Sequence, residues 1–551
     1  MAGISRILSR PTAKPYRSHH ILHTGEQPPT LDDEGHLAFD EGDIENPKNW
    51  SMARRSYITI TTVLLVVNAT FASSSPSGCL ESISEWFQVS SEAAALTVTL
   101  FLLGYCAGPL IFAPLSEFYG RRVIFYVSFL AYIAFNFLCA FAPNFGALLV
   151  GRFLSGTFVS APLSNSPGVL ADLWNPIERA NAMAGFSLMV WAGPALGPVI
   201  SGFLQLTKGV DGWKWSFYVL LMLAGFSAIF MFTIPETYAP VLLKKKARRI
   251  RKAKIPGFED VKAPIETTNQ SLLQIYKVAL TRPWIILFDT ISLLCAIYLS
   301  VVYLLLYMLF SIYPIVFQQM RGWNSGVGEL PLIGTVVGAA IGALIIVIDS
   351  RGQNKKAQAG IELEPEDRLR LAMYGGVGFA ASMFWLAWSG NFNYVHWVVP
   401  TLAGVFLSAS MLLIFVSFLN YLVDTYIMYS ASAIAANTVL RSAAGAAAPL
   451  FTRQMFSALG IGGGGSLVGG VGALLAVIPF AFYKYGRQIR EKSRFAPTTD
   501  HTKKRDETDE AEKGTADVTG EGAGATSSDS QSTELEGERR EESDREKELR
   551  S

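Results

Sequence analysis

The sequence predicts an all-α polytopic membrane protein with twelve transmembrane helices in two six-helix halves and disordered cytoplasmic termini. Three observations predict it. Half of the 551 residues are hydrophobic and 17% are charged, with a mean hydropathy of +0.31, a balance that keeps few soluble chains of this length in solution. Twelve apolar runs reach the length of about twenty residues that one crossing needs. A densely basic stretch, Lys244-Lys-Lys-Ala-Arg-Arg-Ile-Arg-Lys-Ala-Lys254, then divides those runs six from six.

In chain order, residues 1–50 form a polar tail without the apolar core of a signal peptide, expected to be disordered and cytoplasmic. His19, His20 and His23 would hold a metal only in an ordered tail, so no metal is expected. The N-terminal half, 51–235, carries apolar runs near 56–78, 93–116, 123–142, 146–170, 180–206 and 215–234. A basic cytoplasmic linker fills 236–283. The C-terminal half, 284–486, carries runs near 284–316, 327–349, 368–389, 396–421, 429–457 and 466–485. The run at 284–316 is too long for one upright crossing, so it is expected to tilt or to begin outside the hydrocarbon. Residues 487–551 read as a charged, disordered cytoplasmic tail.

Loop charges set the orientation. Arg121-Arg122, the Lys244 run, Lys355-Lys356 and the run from Lys484 to Arg494 are basic, whereas Cys79 to Glu92 has Glu81, Glu85 and Glu92 and no Lys or Arg. By the positive-inside rule both termini are cytoplasmic. Between two spans, the Lys244 run reads as a topology determinant with affinity for anionic lipid, and no nucleic-acid partner is expected. A faint repeat supports the six-plus-six division: Leu115-Ser-Glu-Phe-Tyr-Gly-Arg-Arg122 follows span two, and Ile348-Asp-Ser-Arg-Gly352 follows span eight.

Span five contains Trp191-Ala-Gly-Pro-Ala-Leu-Gly-Pro-Val-Ile-Ser-Gly202. In a soluble helix its prolines would cost roughly 3 kcal/mol each and its glycines about 1 kcal/mol. In a membrane, Gly193 and Gly197 let a neighbouring backbone approach, while Pro194 and Pro198 loosen the hydrogen-bond ladder. Small residues recur in span two (Gly104, Gly108), span eight (Gly334, Gly338, Gly342) and span eleven (Ala443 to Ala448). Spans two, five, eight and eleven correspond across the repeat, and these faces are expected to form the interface on which the halves rock.

Charges within spans are costly and therefore functional candidates. Arg152, Asp289 and Arg441 lie in spans four, seven and eleven, and Glu117, Asp172 and Arg179 lie in or beside cytoplasmic loops, placed for salt bridges that form in one conformation. Together with Gly120 and Arg121 they form the expected coupling and gating set. Asn68, Asn165, Trp191, Tyr303, Tyr307 and Asn437 are expected to face a substrate cavity, with hydrogen bonds between helices as the alternative for each. The four cysteines are too scattered for a disulfide framework or a zinc site. No P-loop, H-E-x-x-H or Gly-x-Ser-x-Gly motif is present, which leaves ATP use and hydrolysis without a motif; no enzyme is expected.

At these residues the sequence resembles the fungal twelve-span drug:proton antiporters of the major facilitator superfamily. Ala113-Pro-Leu-Ser-Glu-Phe-Tyr-Gly-Arg-Arg122 resembles the family's loop 2-3 motif, Gly151-Arg-Phe-Leu-Ser-Gly156 its helix-four motif, and the stretch from Trp191 its helix-five antiporter motif. Asn46-Pro-Lys-Asn-Trp-Ser51, Pro235-Glu-Thr-Tyr-Ala-Pro240 and Tyr483-Lys-Tyr-Gly-Arg487 resemble flanks of the branch containing polyamine and azole exporters. The resemblance implies the major facilitator fold, a proton gradient in place of any cofactor, and Arg152 as the motif arginine acting in proton coupling. It also implies a latch of Glu117, Gly120 and Arg121 favouring the outward-open state. The sequence departs from the family at Glu117, where aspartate is usual, at Ala113 and Pro198, where glycine is usual, and at Asn68 in helix one, where some bacterial relatives carry an acid. The expected function is export of an amphipathic small molecule, a drug or a secondary metabolite such as a glycolipid, by a monomer in the plasma membrane. The vacuolar membrane, polyamine or organic-acid export, and an importer or transceptor of the same fold are the alternatives.

Overall fold

The computed structural model describes residues 30–495, apart from 33–34, 41, 254–257, 259, 268–271, 361–363 and 494. Among the described residues, sixteen α-helices follow one another: α1 (Met52–Ser74), α2 (Leu80–Phe87), α3 (Ser91–Tyr119), α4 (Arg121–Ala140), α5 (Phe145–Leu173), α6 (Pro176–Lys208), α7 (Gly212–Met231), α8 (Ala239–Ala253), α9 (Pro264–Thr267), α10 (Leu272–Leu287), α11 (Thr290–Tyr313), α12 (Leu332–Gln358), α13 (Arg370–Gly390), α14 (Val398–Tyr426), α15 (Ser430–Leu475) and α16 (Val477–Lys492). Among the described residues, a single bridge between Leu31 and Leu37 is the only β pairing.

Helix starts follow local chemistry. Side chains of Ser51, Ser90 and Asn144 accept hydrogen bonds from the backbone N–H groups of Arg54, Ala93 and Ala147, capping α1, α3 and α5. Gly120, with φ +97°, ends α3 and begins α4, a conformation other residues rarely adopt. Among the described residues, ten apolar helical runs are long enough to cross a membrane; two of them, Asn181–Met231 and Ser430–Lys492, have 51 and 63 residues. The 3-10 turn Gly209–Asp211 breaks the first and Gly460 (φ 69°) the second, so the ten accommodate twelve crossings.

Segment seven resolves as two helices. α10 ends at Leu287, and Asp289 is the N-cap position of α11. The Lys244 run is helical as far as Ala253, within α8, whose Ala247 and Ile250 pack with Leu37, Val261 and Ala263. Part of the tail expected to be disordered is held there: Lys246 Nζ lies 2.7 Å from Asp43 and 3.4 Å from Asp40, and Arg249 Nη2 lies 2.8 Å from Glu45. Charge complementarity between an acidic tail and a basic linker accounts for the difference. His19, His20, His23 and residues 496–551 lie outside the described residues.

The glycine faces differ from the expectation. Gly104 and Gly108 of α3 face Thr157 and Ser160 of α5; Gly193 and Gly197 of α6 face Thr70, Phe71 and Ser74 of α1. In the second half, Gly334, Gly338 and Gly342 of α12 face Thr401, Val405 and Ala409 of α14, and Gly445 of α15 faces Tyr303 and Tyr307 of α11. These glycine contacts lie inside each half, whereas the Ala446 carbonyl of α15 accepts from Thr99 Oγ1 of α3 at 2.8 Å and Gly202 of α6 faces Ser325, both across the halves. Glycine permits the closest backbone approach, which suits permanent packing. The same pairings recur in both halves, two on four and five on one, eight on ten and eleven on seven, so the repeat is written in the packing. The halves themselves meet where α3 packs on α15 and α6 on α12, the same four helices that carry the small residues.

Pro198 has no N–H to offer the carbonyl of Pro194 one turn earlier. The Ser74 hydroxyl on α1 donates to that carbonyl at 2.6 Å. The helix-five prolines are thus matched by a hydroxyl from the neighbouring helix.

Candidate functional site

At mid-depth, side chains from both halves converge. Trp191 of α6, 3% exposed, meets Phe415 of α14 edge-on, with ring centroids 5.7 Å apart and planes at 81°. The Arg441 guanidinium of α15 lies 4.8 Å from the same Phe415 centroid and 5.2 Å from that of Tyr303. Tyr303 and Tyr307 of α11 pack together at 5.3 Å, and the Tyr307 hydroxyl donates to Ser73 Oγ of α1 at 2.8 Å. The result is an aromatic cluster with one guanidinium, shared between the two halves. Among the described residues, Arg441 Nε and Nη1 and Trp191 Nε1 are buried without a hydrogen-bond partner.

Arg152 is held differently. It is fully buried on α5, with Nε donating to the Thr97 carbonyl (2.8 Å) and Nη2 to those of Ala72 (2.9 Å) and Ser73 (3.4 Å). Its guanidinium also lies 4.0 Å from the Phe101 centroid. Pro76, two residues past α1, and the 3-10 turn Ser75–Cys79 free carbonyls there, so the arginine ties the ends of α1 and α3 to α5. Ser73 links the two arrangements, accepting from Tyr307 through Oγ and from Arg152 through its carbonyl.

The residues expected to gate lie at the end of the bundle where α1 begins and α16 ends. Arg121 Nε is 3.6 Å from Asp172, and its Nη1 donates to Ser116 Oγ at 2.6 Å. Glu236 accepts from the backbone N–H groups of Arg121 (3.0 Å), Arg122 (3.3 Å), Thr237 (3.1 Å) and Tyr238 (3.0 Å), so a carboxylate caps the positive end of α4. A Cβ on Gly120 would come within 2.4 Å of Glu236 Oε2. Glu117 is exposed and Arg179 half-buried, and neither forms an ion pair among the described residues. Glu178 pairs instead, with Arg55 at 2.8 Å. The second half repeats the arrangement: Arg368 Nε meets Asp424, near the end of α14, at 2.8 Å, as Arg121 meets Asp172 near the end of α5.

Of the residues expected to face a cavity, Trp191, Tyr303 and Tyr307 come together. Asn68 does not join them: its Nδ2 donates to Ser227 Oγ of α7 at 2.6 Å, inside the first half. Asn165 accepts from Ser116 Oγ at 3.0 Å and so joins the Arg121–Ser116 cluster. Asn437 donates to the Ala433 carbonyl on its own helix at 3.2 Å. Asp289 accepts from the hydroxyls of Tyr426 and Ser493, pinning α11 to α14 and the C-terminal segment.

Phe415, Glu236 and Glu329 escaped sequence reasoning as site residues. Glu236 was visible as an acid closing span six. Glu329, 1% exposed, stands inside the apolar run at 327–349; Gln318 Nε2 donates to its Oε1 at 3.1 Å. It lies beside Gly202 at the end opposite the termini, where Ser325 Oγ donates to the Gly202 carbonyl at 3.3 Å and joins the halves.

The chain matches the Major Facilitator Superfamily over residues 60–449. It is 41% identical to the efflux pump FUB11 of Gibberella moniliformis over 440 residues, covering 79% of this chain and 73% of that protein. With the major facilitator superfamily multidrug transporter mdrA of Aspergillus fumigatus it shares 38% identity over 478 residues, covering 86% and 77%. Its fold resembles that of the proton:xylose symporter XylE bound to 6-bromo-6-deoxy-D-glucose, with a TM-score of 0.57 at 16% identity over 79% of this chain and 97% of that one. Two six-helix halves with repeated internal packing, a shared mid-depth cluster and these relatives lead to one assignment: the chain is a multi-pass membrane transporter of the major facilitator superfamily.

Proposed function

We propose that this transporter exports an amphipathic organic solute in exchange for protons by alternating access. The observation that carries the reading is the cluster of Trp191, Phe415, Arg441, Tyr303 and Tyr307, built by both halves at mid-depth. A solute seated there touches both halves, so its binding biases their rocking. Apolar rings with one fixed charge suit an amphipathic molecule. Ser325 Oγ donates to the Gly202 carbonyl and so joins the two halves. The fungal relatives named as an efflux pump and a multidrug transporter supply the direction.

The protein acts as a monomer in the plasma membrane with both termini cytoplasmic, and the proton gradient takes the place of a cofactor. One proton moving inward releases about 1.36 kcal/mol per pH unit and about 2.3 kcal/mol per 100 mV. Two pH units and 100 mV thus sustain a gradient of a neutral solute of roughly several thousandfold at full coupling. Arg152 serves coupling, joining α1, α3 and α5 so that a change at one is felt by the others. Glu117, Gly120, Arg121, Asp172 and Arg179 serve the cytoplasmic latch, and Asp289 holds the start of α11.

Expression in a host stripped of its own exporters tests the reading. Cells preloaded with amphipathic dyes are expected to lose them faster than control cells, and a protonophore should abolish the difference. Faster accumulation of the dyes would overturn the export assignment.

A further inference from the structure

The cluster contains more donors than it can satisfy. Arg441 Nε and Nη1 and Trp191 Nε1 are buried and, among the described residues, without partners; all three can only donate. Nor does Arg441 form an ion pair with any described acidic residue; its neighbours are the rings of Phe415 and Tyr303. Arg152, by contrast, has three backbone carbonyls as acceptors. Arg441 is half-buried as a residue, so ligands have an approach to it.

We propose that Arg441 and Trp191 form an acid-recognition site, and that the transported solute is an organic acid whose carboxylate docks on them while its apolar body lies among Phe415, Tyr303 and Tyr307. A desolvated guanidinium lacking a counter-ion is costly, and a carboxylate matches its planar fork with two charge-assisted hydrogen bonds. The indole N–H gives a third donor from the other half. Trp191 lies on α6 and Arg441 on α15, so the anion bridges the halves, and its affinity depends on their being together. An organic cation meets a like charge instead, which sets polyamines against this site. The proposal rests on the export reading and narrows its substrate class.

The test uses the full chain in lipid nanodiscs and three matched probes: 2-naphthoate, 2-naphthamide and 2-naphthylmethylamine. Binding is read by quenching of tryptophan fluorescence and by thermal shift. The wild type is expected to bind the acid about tenfold tighter than the amide, the scale of one charge-assisted contact, and the amine most weakly. Arg441→Gln should bring the acid-to-amide ratio close to one. Arg441→Lys, which keeps the charge without the fork, should retain an intermediate ratio, and Trp191→Phe should lower it about threefold by removing one donor. Equal binding of acid and amide by the wild type, preferred binding of the amine, or an unchanged ratio in Arg441→Gln would each overturn the proposal. Flux in vesicles separates the two readings. Acid preference without transport contradicts export and leaves the site standing, whereas transport with no acid preference contradicts the site and leaves export standing.

Discussion

Gly193 of α6 faces Thr70 of α1 so closely that a Cβ on the glycine would lie 2.0 Å from the threonine hydroxyl. Both residues belong to the first half. Gly193 and Gly197 thus pack α6 closely on α1, and their substitution is expected to act on stability.

Gly193→Ala is expected to cost about 1–3 kcal/mol by overpacking, lowering the melting temperature of the detergent-solubilised protein and its level at the cell surface. Gly338→Ala, whose Cβ would meet the Val405 carbonyl at 2.0 Å, should do the same in the second half. Gly185→Ala, on α6 with nothing within 4 Å, should leave the melting temperature unchanged. Normal stability with lost transport in Gly193→Ala would restore a hinge role for this face.

The cap on α4 gives a second prediction. Glu236→Ala removes the acceptor for four backbone N–H groups and should destabilise the protein by about 2 kcal/mol, the upper range for a helix cap. Gly120→Ala combines a positive φ with a Cβ 2.4 Å from the Glu236 carboxylate and should prevent accumulation of folded protein. Thermal unfolding monitored by fluorescence size-exclusion checks both.

The repeated ion pairs should differ in weight. The Arg121–Asp172 side chains are 12% and 18% exposed and those of Arg368–Asp424 are 31% and 35% exposed. Asp172→Asn is expected to cost about 1–3 kcal/mol, since it strands a buried guanidinium, whereas Asp424→Asn should cost about 1 kcal/mol or less. Melting temperatures of the two variants, compared in one buffer, decide the order.

The linker carries a pH-dependent clasp. Arg251 binds Glu266 through two hydrogen bonds of 2.8 and 2.9 Å, and these hold the Glu266 carboxyl below its ordinary value of 4.5. A depressed acid stabilises the folded arrangement fully above its unfolded value, and that contribution fades as pH falls through the folded one. Proteolysis of the linker should therefore be slow at neutral pH and speed up as pH drops below about 4.5. Glu266→Gln should show the faster rate at neutral pH and no such rise.

Much of this was legible in the sequence because a membrane imposes simple rules. The crossings, the break before α11 and the residues Trp191, Tyr303 and Tyr307 follow from length, hydropathy and the placing of polar groups. Facing was less legible. Asn68 and Asn165 are polar in apolar helices whether they meet a cavity or a neighbouring serine, and only the packing distinguishes Ser227 or Ser116 from a solute. The glycine stripes named the right helices and the wrong partners, because a stripe records close approach without recording whether the contact lasts. Phe415 carried no signal at all, being one of many aromatic residues in the spans.

Arg152 joins three helices through carbonyls, and Arg152→Gln is expected to uncouple transport. Accumulation driven by a pH gradient should fall about tenfold or more, the scale of a coupling free energy. Exchange of labelled for unlabelled solute, which needs no proton, should persist. Loss of both together with a lowered melting temperature would make the residue structural only.

Proton coupling is tested most directly in inside-out plasma-membrane vesicles carrying the full chain, with 2-naphthoate as the solute. An imposed gradient, acidic in the lumen, should drive uptake against a solute gradient, and collapse of the pH difference should return the level to equilibrium. Uptake indifferent to the imposed pH difference would contradict the account.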